Sequence, residues 1–89
     1  ISARKLRFRD HIDVRGMRAA EALEQVQDFI DDALMVGVST VSILHGKGTG
    51  ALKEEIRRYL RSVPEVASAV DEHADRGGAG ITIVTFDLS

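Results

Sequence analysis

The stretch that most constrains the fold of this chain is His45-Gly46-Lys47-Gly48-Thr49-Gly50, where every second residue from Gly46 is glycine. It follows the apolar run Val41-Ser42-Ile43-Leu44 and precedes an amphipathic run that begins at Ala51. A strand, a glycine-rich loop and a helix satisfy that order. The first backbone N–H groups of a helix have no intrahelical partner, and the helix dipole favours negative charge beside them. Glycine adopts positive φ readily and lets the backbone approach a ligand that a Cβ would keep away. Lys47 adds a full positive charge, and His45 a side chain that ordinarily titrates near neutral pH. Gly46, Lys47, Gly48, Thr49 and Gly50 therefore form a candidate phosphate-binding loop. The loop alone is equally consistent with a plain connection between strand and helix.

The chain has 89 residues, which fits one domain that buries roughly 60–65% of its unfolded surface, with one core and no deep cavity. There is no cysteine, so disulfides and thiolate metal sites are excluded, and the chain is compatible with a reducing, cytoplasmic setting. No apolar run approaches the roughly 20 residues of a membrane span, and no signal-peptide pattern opens the chain. The first residue is Ile1 rather than Met, which reads as a piece of a longer protein. The net charge of −2 hides a block pattern. Residues 1–18 carry six basic and two acidic side chains, and 19–36 five acidic and none basic. Residues 47–61 carry five basic and two acidic, and 65–89 one basic and five acidic. Local faces govern attraction to a phosphate backbone more than the total does. The same blocks also suit ordinary solvated surface.

Residues 1–9 read as a basic linker or arm, with Arg4, Lys5, Arg7 and Arg9 suited to phosphate contacts and Leu6 and Phe8 able to dock it. The domain proper is expected over 10–89. In His11-Ile12-Asp13-Val14-Arg15-Gly16, the alternation of Ile12 and Val14 with Asp13 and Arg15 predicts a half-buried strand with a carboxylate and a guanidinium on its outer face. That pair is either a surface ion pair or a functional one. Residues 18–36 predict a helix with Ala19, Leu23, Val26, Ile30, Ala33 and Leu34 on its apolar stripe, stopped by Gly37. Residues 38–44 predict a second strand, parallel to the first, so that both end at one sheet edge and bring Asp13 and Arg15 near His45 and Lys47. Residues 51–62 predict a second helix with Leu52, Ile56, Tyr59 and Leu60 inward and Lys53, Arg57, Arg58 and Arg61 outward, halted by Pro64. Residues 66–73 and 81–86 predict an antiparallel hairpin across the glycine-rich turn 75–80. The expected architecture is α/β, a two-layer sandwich of order β-α-β-α-β-β with a mixed four-stranded sheet. His11 and His73 are expected on the surface. A nucleotide-hydrolysing Gly-x4-Gly-Lys-Ser/Thr loop does not occur.

Taken together, Ile12-Asp13-Val14-Arg15-Gly16, then His45-Gly46-Lys47-Gly48-Thr49-Gly50, then Gly77-Gly78-Ala79-Gly80-Ile81-Thr82-Ile83-Val84 resemble the Smr (small MutS-related) domain. The resemblance runs from about residue 10 to 87. Many Smr domains read Leu-Asp-Leu-His-Gly in the first motif; the arginine at position 15 is most similar to the Smr domain that closes the second class of bacterial MutS-type proteins. The resemblance implies a fold like the C-terminal domain of translation initiation factor three, and nucleic-acid binding with endonuclease (nicking) activity. It further implies a parent chain with an ATPase core that dimerises and acts on branched DNA, recombination intermediates or stalled ribosomes. Carried over, its motifs point to Asp13, Arg15, His45 and Lys47 as catalytic. Gly46, Lys47, Gly48, Thr49 and Gly50, with the nearby cations Arg9, Arg18 and Lys53, are candidates for phosphate binding. Arg15 cannot replace a titrating imidazole, because a guanidinium stays charged. In the resulting expectation, water attacks a phosphate, Asp13 orients or deprotonates it, and His45 is the complementary acid or base. Lys47, Arg15 and the loop amides stabilise the developing charge. The carboxylate cluster of a two-metal nuclease is missing; a single Mg²⁺ or Mn²⁺ at Asp13 stays open, as does RNA in place of DNA. The alternative is a binding module without catalysis.

Overall fold

The computed structural model describes residues 8–88; Arg4, Lys5, Leu6 and Arg7 of the expected arm lie outside the described residues. The elements run β1 (His11–Asp13), α1 (Ala19–Val36), β2 (Thr40–Leu44), α2 (Ala51–Arg61), β3 (Val66–Asp71) and β4 (Ile81–Phe86), with two short 3₁₀ turns, Ala74–Arg76 and Gly78–Gly80, before β4. They form one four-stranded sheet of order β1-β2-β4-β3. β1 pairs parallel with β2, with Asp13 opposite Leu44. β2 and β3 both pair antiparallel with β4. This is the expected mixed two-layer architecture. The β-branched run of β4 takes a central position, where side chains of that shape pack best.

Alternation along the strands sets the core. Val41 and Ile43 of β2 and Thr82, Val84 and Phe86 of β4 are buried, and they meet Ala22, Val26, Ile30 and Ala33 of α1 and Ile56 and Leu60 of α2. Both helices therefore cover the same face of the sheet. The inward stripe of α1 is turned slightly from the expected one: Ala22 is fully buried, whereas Ala19 is exposed in the first turn. Gly37 ends α1 at φ +85°, its N–H donating to the Ala33 carbonyl. Phe8 stacks on Phe29 of α1 with ring centroids 5.7 Å apart, so the last apolar residue of the arm docks on the domain.

The first strand is shorter than its alternation predicts. Val14 is buried and its N–H donates to Leu44 O at 2.9 Å. Beyond it, however, the Arg15 N–H turns to the Asp13 side chain at 3.0 Å, and Gly16 at φ +78° leads the chain into a turn closed by Met17 N–H to Val14 O. A short carboxylate bonding the backbone two residues on competes with the ladder in this way. At the second edge, β3 has a register shift between Val66 and Ser68, a bulge that blunts an open strand.

Candidate functional site

Because β1 and β2 are parallel, their carboxyl ends and the start of α2 converge at one edge of the sheet. The loop after β2 is folded by its glycines, with φ of +81° at Gly46, +40° at Gly48 and +84° at Gly50. Its base is fastened to the turn before β4: the His45 and Gly46 amides both donate to Gly80 O, at 3.1 and 3.0 Å. Gly46 lies against the aliphatic stem of Arg15, whose Cγ is 3.5 Å from where a Cβ would stand. The Lys47 stem runs over Gly80. Among the described residues no carbonyl accepts from the amides of Lys47, Gly48, Thr49, Leu52 or Lys53. The Ala51 amide reaches only Thr49 Oγ1, at 3.4 Å. These residues line a cleft of about 600 Å³ together with Met17, Ala19 and the rest of residues 45–55.

Asp13 and Arg15 are joined side by side next to Gly46. Arg15 Nε donates to Asp13 Oδ1 at 3.0 Å and Nη2 to Oδ2 at 2.8 Å, a bidentate fork that the Arg15 amide extends. The guanidinium holds the Asp13 carboxyl down to about 2, with the Arg15 amide adding to the effect, and the Arg15 guanidinium is held more firmly protonated in return. Asp13 is an anion throughout the neutral range.

His45 is the buried member, 5% exposed. Both of its ring nitrogens are engaged: Nδ1 with Gly46 O at 2.7 Å and Nε2 with Thr82 Oγ1 at 2.8 Å. Burial lowers its pKa below the ordinary value; the Gly46 carbonyl opposes that shift, Lys53 and Arg57 reinforce it, and Asp71 opposes it. The Thr82 hydroxyl also accepts from Arg57, Nη2 at 3.3 Å and Nε at 3.4 Å. Asp71 Oδ1 in turn accepts from Arg57 Nη2 at 2.6 Å and Lys53 Nζ at 2.7 Å.

The fold thus gathers Asp13, Arg15, His45, Gly46, Lys47, Gly48, Thr49, Gly50 and Lys53 at one edge. Exposed Arg18 caps α1 at the same edge. Arg9 is not brought there: it precedes β1 and so stands at the opposite edge. Lys53 and Arg57, expected to point outward, instead lie folded against the sheet with side chains only 19% and 21% exposed, drawn in by Asp71. His11 and His73 are exposed as expected, although His11 Nδ1 lies 3.3 Å from Asp10 Oδ1. Gly80, Thr82, Arg57 and Asp71 are the members that the sequence reading did not assign to the site. Thr82 left a trace: it is the polar residue on the inward face of β4, in step with Val84 and Phe86.

Comparison with known proteins bears on the family and the fold. The sequence profile of the Smr domain matches residues 12–87. The endonuclease MutS2 of Halalkalibacterium halodurans is 48% identical over 73 residues, which are 82% of this chain and 9% of that protein. The endonuclease MutS2 of Thermus thermophilus is 44% identical over 75 residues, 84% of this chain and 10% of that protein. The chain therefore spans about a tenth of the length of these relatives. The crystal structure of the Smr domain of Thermus thermophilus MutS2 superposes with a TM-score of 0.84 at 42% identity, covering 89% of this chain and 99% of that one. YdaL, a stand-alone small MutS-related protein from Escherichia coli, shares the fold at a TM-score of 0.82 and 24% identity, covering 86% of this chain and 63% of that one. With the matched region running from β1 to the residue after β4, this chain belongs to the Smr domain family.

Proposed function

We propose that this domain grips the phosphate backbone of a nucleic acid at the glycine-loop edge and nicks it, as one part of a larger MutS-type chain with an ATPase core. The observation that carries the reading is the gathering of unpartnered loop and helix amides and Lys47 along one open cleft, with the Arg15 fork packed beside Gly46 at its base. Donors of this kind, fixed before the substrate arrives, stabilise charge on phosphoryl oxygens without reorganisation. Water attacks phosphorus, a P–O ester bond breaks, and Lys47, Arg15 and the amides hold the extra negative charge. Asp13, ionised at neutral pH and clamped by Arg15, orients the water and the guanidinium; it is too weak a base to take a proton readily. His45 has no free ring nitrogen and holds the loop. The proton of the attacking water goes to solvent, and the leaving alkoxide takes one from solvent. An RNA strand, with its own 2′-OH as nucleophile, makes still less demand on the protein.

Among the described residues, no three His, Cys, Asp or Glu side chains are grouped to hold a metal ion. Both Asp13 oxygens already face Arg15. Such a donor set makes no all-protein cage for a resident Mg²⁺ or Mn²⁺. The engagement of both His45 nitrogens also favours a second reading, a phosphate-binding module that leaves catalysis to the parent chain. Cleavage of supercoiled plasmid and of labelled single-stranded RNA, each with Mg²⁺, Mn²⁺ or EDTA, separates the two. For a nicking domain, Lys47→Ala is expected to slow cleavage by about 10²- to 10³-fold, the scale of one lost donor to a developing oxyanion. Salt-sensitive binding by the unaltered domain with no cleavage in any arm leaves the binding module.

A further inference from the structure

Thr82 sits where the fold calls for an apolar residue. It is fully buried on the inward face of β4, two and four residues before Val84 and Phe86 of the core. A buried hydroxyl is tolerated when its hydrogen bonds are made, and the direction of each bond here is fixed by chemistry. The Gly46 carbonyl can only accept, so Nδ1 of His45 carries the ring proton. Arg57 can only donate, so the Thr82 hydroxyl accepts from it. In the neutral ring with its proton on Nδ1, Nε2 is an acceptor and takes the hydroxyl proton of Thr82. Arg57 is held in turn by Asp71. A single ordered line therefore runs from Asp71 on β3, through Arg57 and Thr82, to His45 and the Gly46 carbonyl.

The end of that line is a peptide unit. In a trans peptide the C=O and the following N–H point in opposite directions. With the Gly46 carbonyl drawn toward a buried imidazole, the Lys47 N–H points away from it, and no described carbonyl accepts from that amide. Glycine at position 46 leaves this peptide free to rotate. A half-turn would face the cleft with a carbonyl oxygen in place of a donor. We infer that Asp71, Arg57 and Thr82 are positioning residues that hold His45 as its neutral Nδ1–H tautomer and thereby lock the Gly46–Lys47 peptide with its N–H toward the anion. The inference rests on the proposed phosphate-binding role of the loop. It assigns His45 a mechanical role in place of proton transfer.

The test uses Thr82→Val, which keeps the shape and removes the hydroxyl, Thr82→Ser, which restores it, and Asp71→Asn at the exposed end of the line. Long-range ¹⁵N NMR of the His45 ring reads the tautomer, and titration with a short fluorescein-labelled DNA oligonucleotide reads affinity and the Lys47 amide shift. Thr82→Val is expected to move His45 away from a pure Nδ1–H form, to abolish the oligonucleotide-induced shift of the Lys47 amide, and to weaken binding about 3- to 10-fold, the scale of one hydrogen bond. Thr82→Ser is expected to restore all three, and Asp71→Asn to move the ring signals in the same direction by less. An unchanged tautomer with unchanged affinity in Thr82→Val overturns the lock, as does weakened binding that Thr82→Ser fails to restore. Should Thr82→Val not fold, the ring signals of Asp71→Asn decide, and their identity with the unaltered protein overturns it. If the unaltered domain binds no oligonucleotide, the phosphate-site reading fails by itself, while the ring signals still report whether the line sets the tautomer.

Discussion

A histidine with a partner on each ring nitrogen behaves differently from a free one, and His45 shows how burial decides between acid–base chemistry and structure. Protonating it would place a cation beside Arg57 and Lys53 and reverse its bond to Thr82. In the unfolded chain the same side chain titrates near 6.5; in the fold its pKa is lower, because of burial first. The unfolded state then binds more protons between the two values, so this contribution to stability is fully present above about pH 6.5 and is lost as pH falls through the window below it. The expected outcomes are a His45 NMR titration midpoint below 6.5 and a urea midpoint that declines as the pH drops from about 7.5 to about 5.5. A His45 midpoint at or above 6.5 contradicts the buried, neutral assignment. The pKa of Asp13 is also lowered, to about 2 by the Arg15 fork, but in a carboxyl that shift favours the charged form where in His45 it favours the neutral one. The pair beside Gly46 therefore keeps a fixed anion and a fixed cation throughout the neutral range. At this scale the residue types were legible in the sequence and the protonation state of His45 was not, since burial and its distant partners Thr82, Lys53, Arg57 and Asp71 act on it only in the fold.

Elements were legible where periodicity was long. The stripe of α1 and the alternation of β4 each extend over enough residues that one face has to be apolar, and the structure follows both. The failures are at ends. β1 stops at Asp13 because a side chain took a backbone N–H, and Lys53 and Arg57 fold inward because Asp71, on another element, draws them there. The stretch 75–80 reads in sequence as a glycine-rich turn or flexible loop; in the fold residues 74–80 form two 3₁₀ turns, and the Gly80 carbonyl anchors the loop after β2. Gly77 there has φ +118°, and a Cβ would lie 2.4 Å from Ile81 Cδ1. Gly77→Ala is expected to lose roughly 1–3 kcal/mol, the scale of a residue held in a strained backbone region, and more than Gly78→Ala. At Gly78 φ is +53° and no atom lies within 4 Å of the added carbon. Urea denaturation of the two variants checks the order, and equal midpoints would sink the argument.

Across the whole molecule, the edge where the parallel strands end is set apart from the edge where they begin. Lys47 lies at the first and Arg9 at the second, so two cations that look equivalent in the block pattern are separated by the sheet. Lys47→Ala is expected to flatten the dependence of log affinity on log salt by about one unit, the share of one phosphate contact, whereas Arg9→Ala leaves the slope nearly unchanged. Binding of a labelled oligonucleotide across a salt series measures both; an equal loss from Arg9→Ala would show that the nucleic acid also covers the far edge. Among the described residues no helix is long and apolar enough to cross a membrane. The sequence by itself determined the order of elements, the parallel pairing of β1 with β2, and the loop at their shared edge, because these follow from periodicity and from glycine at spaced positions. It could not determine that the Gly80 carbonyl holds that loop, or that Thr82, Arg57 and Asp71 reach it through His45. Those contacts join residues 14 to 37 positions apart on elements brought together by folding, and a hydrogen bond forms only once packing has set both the distance and the direction of its partners.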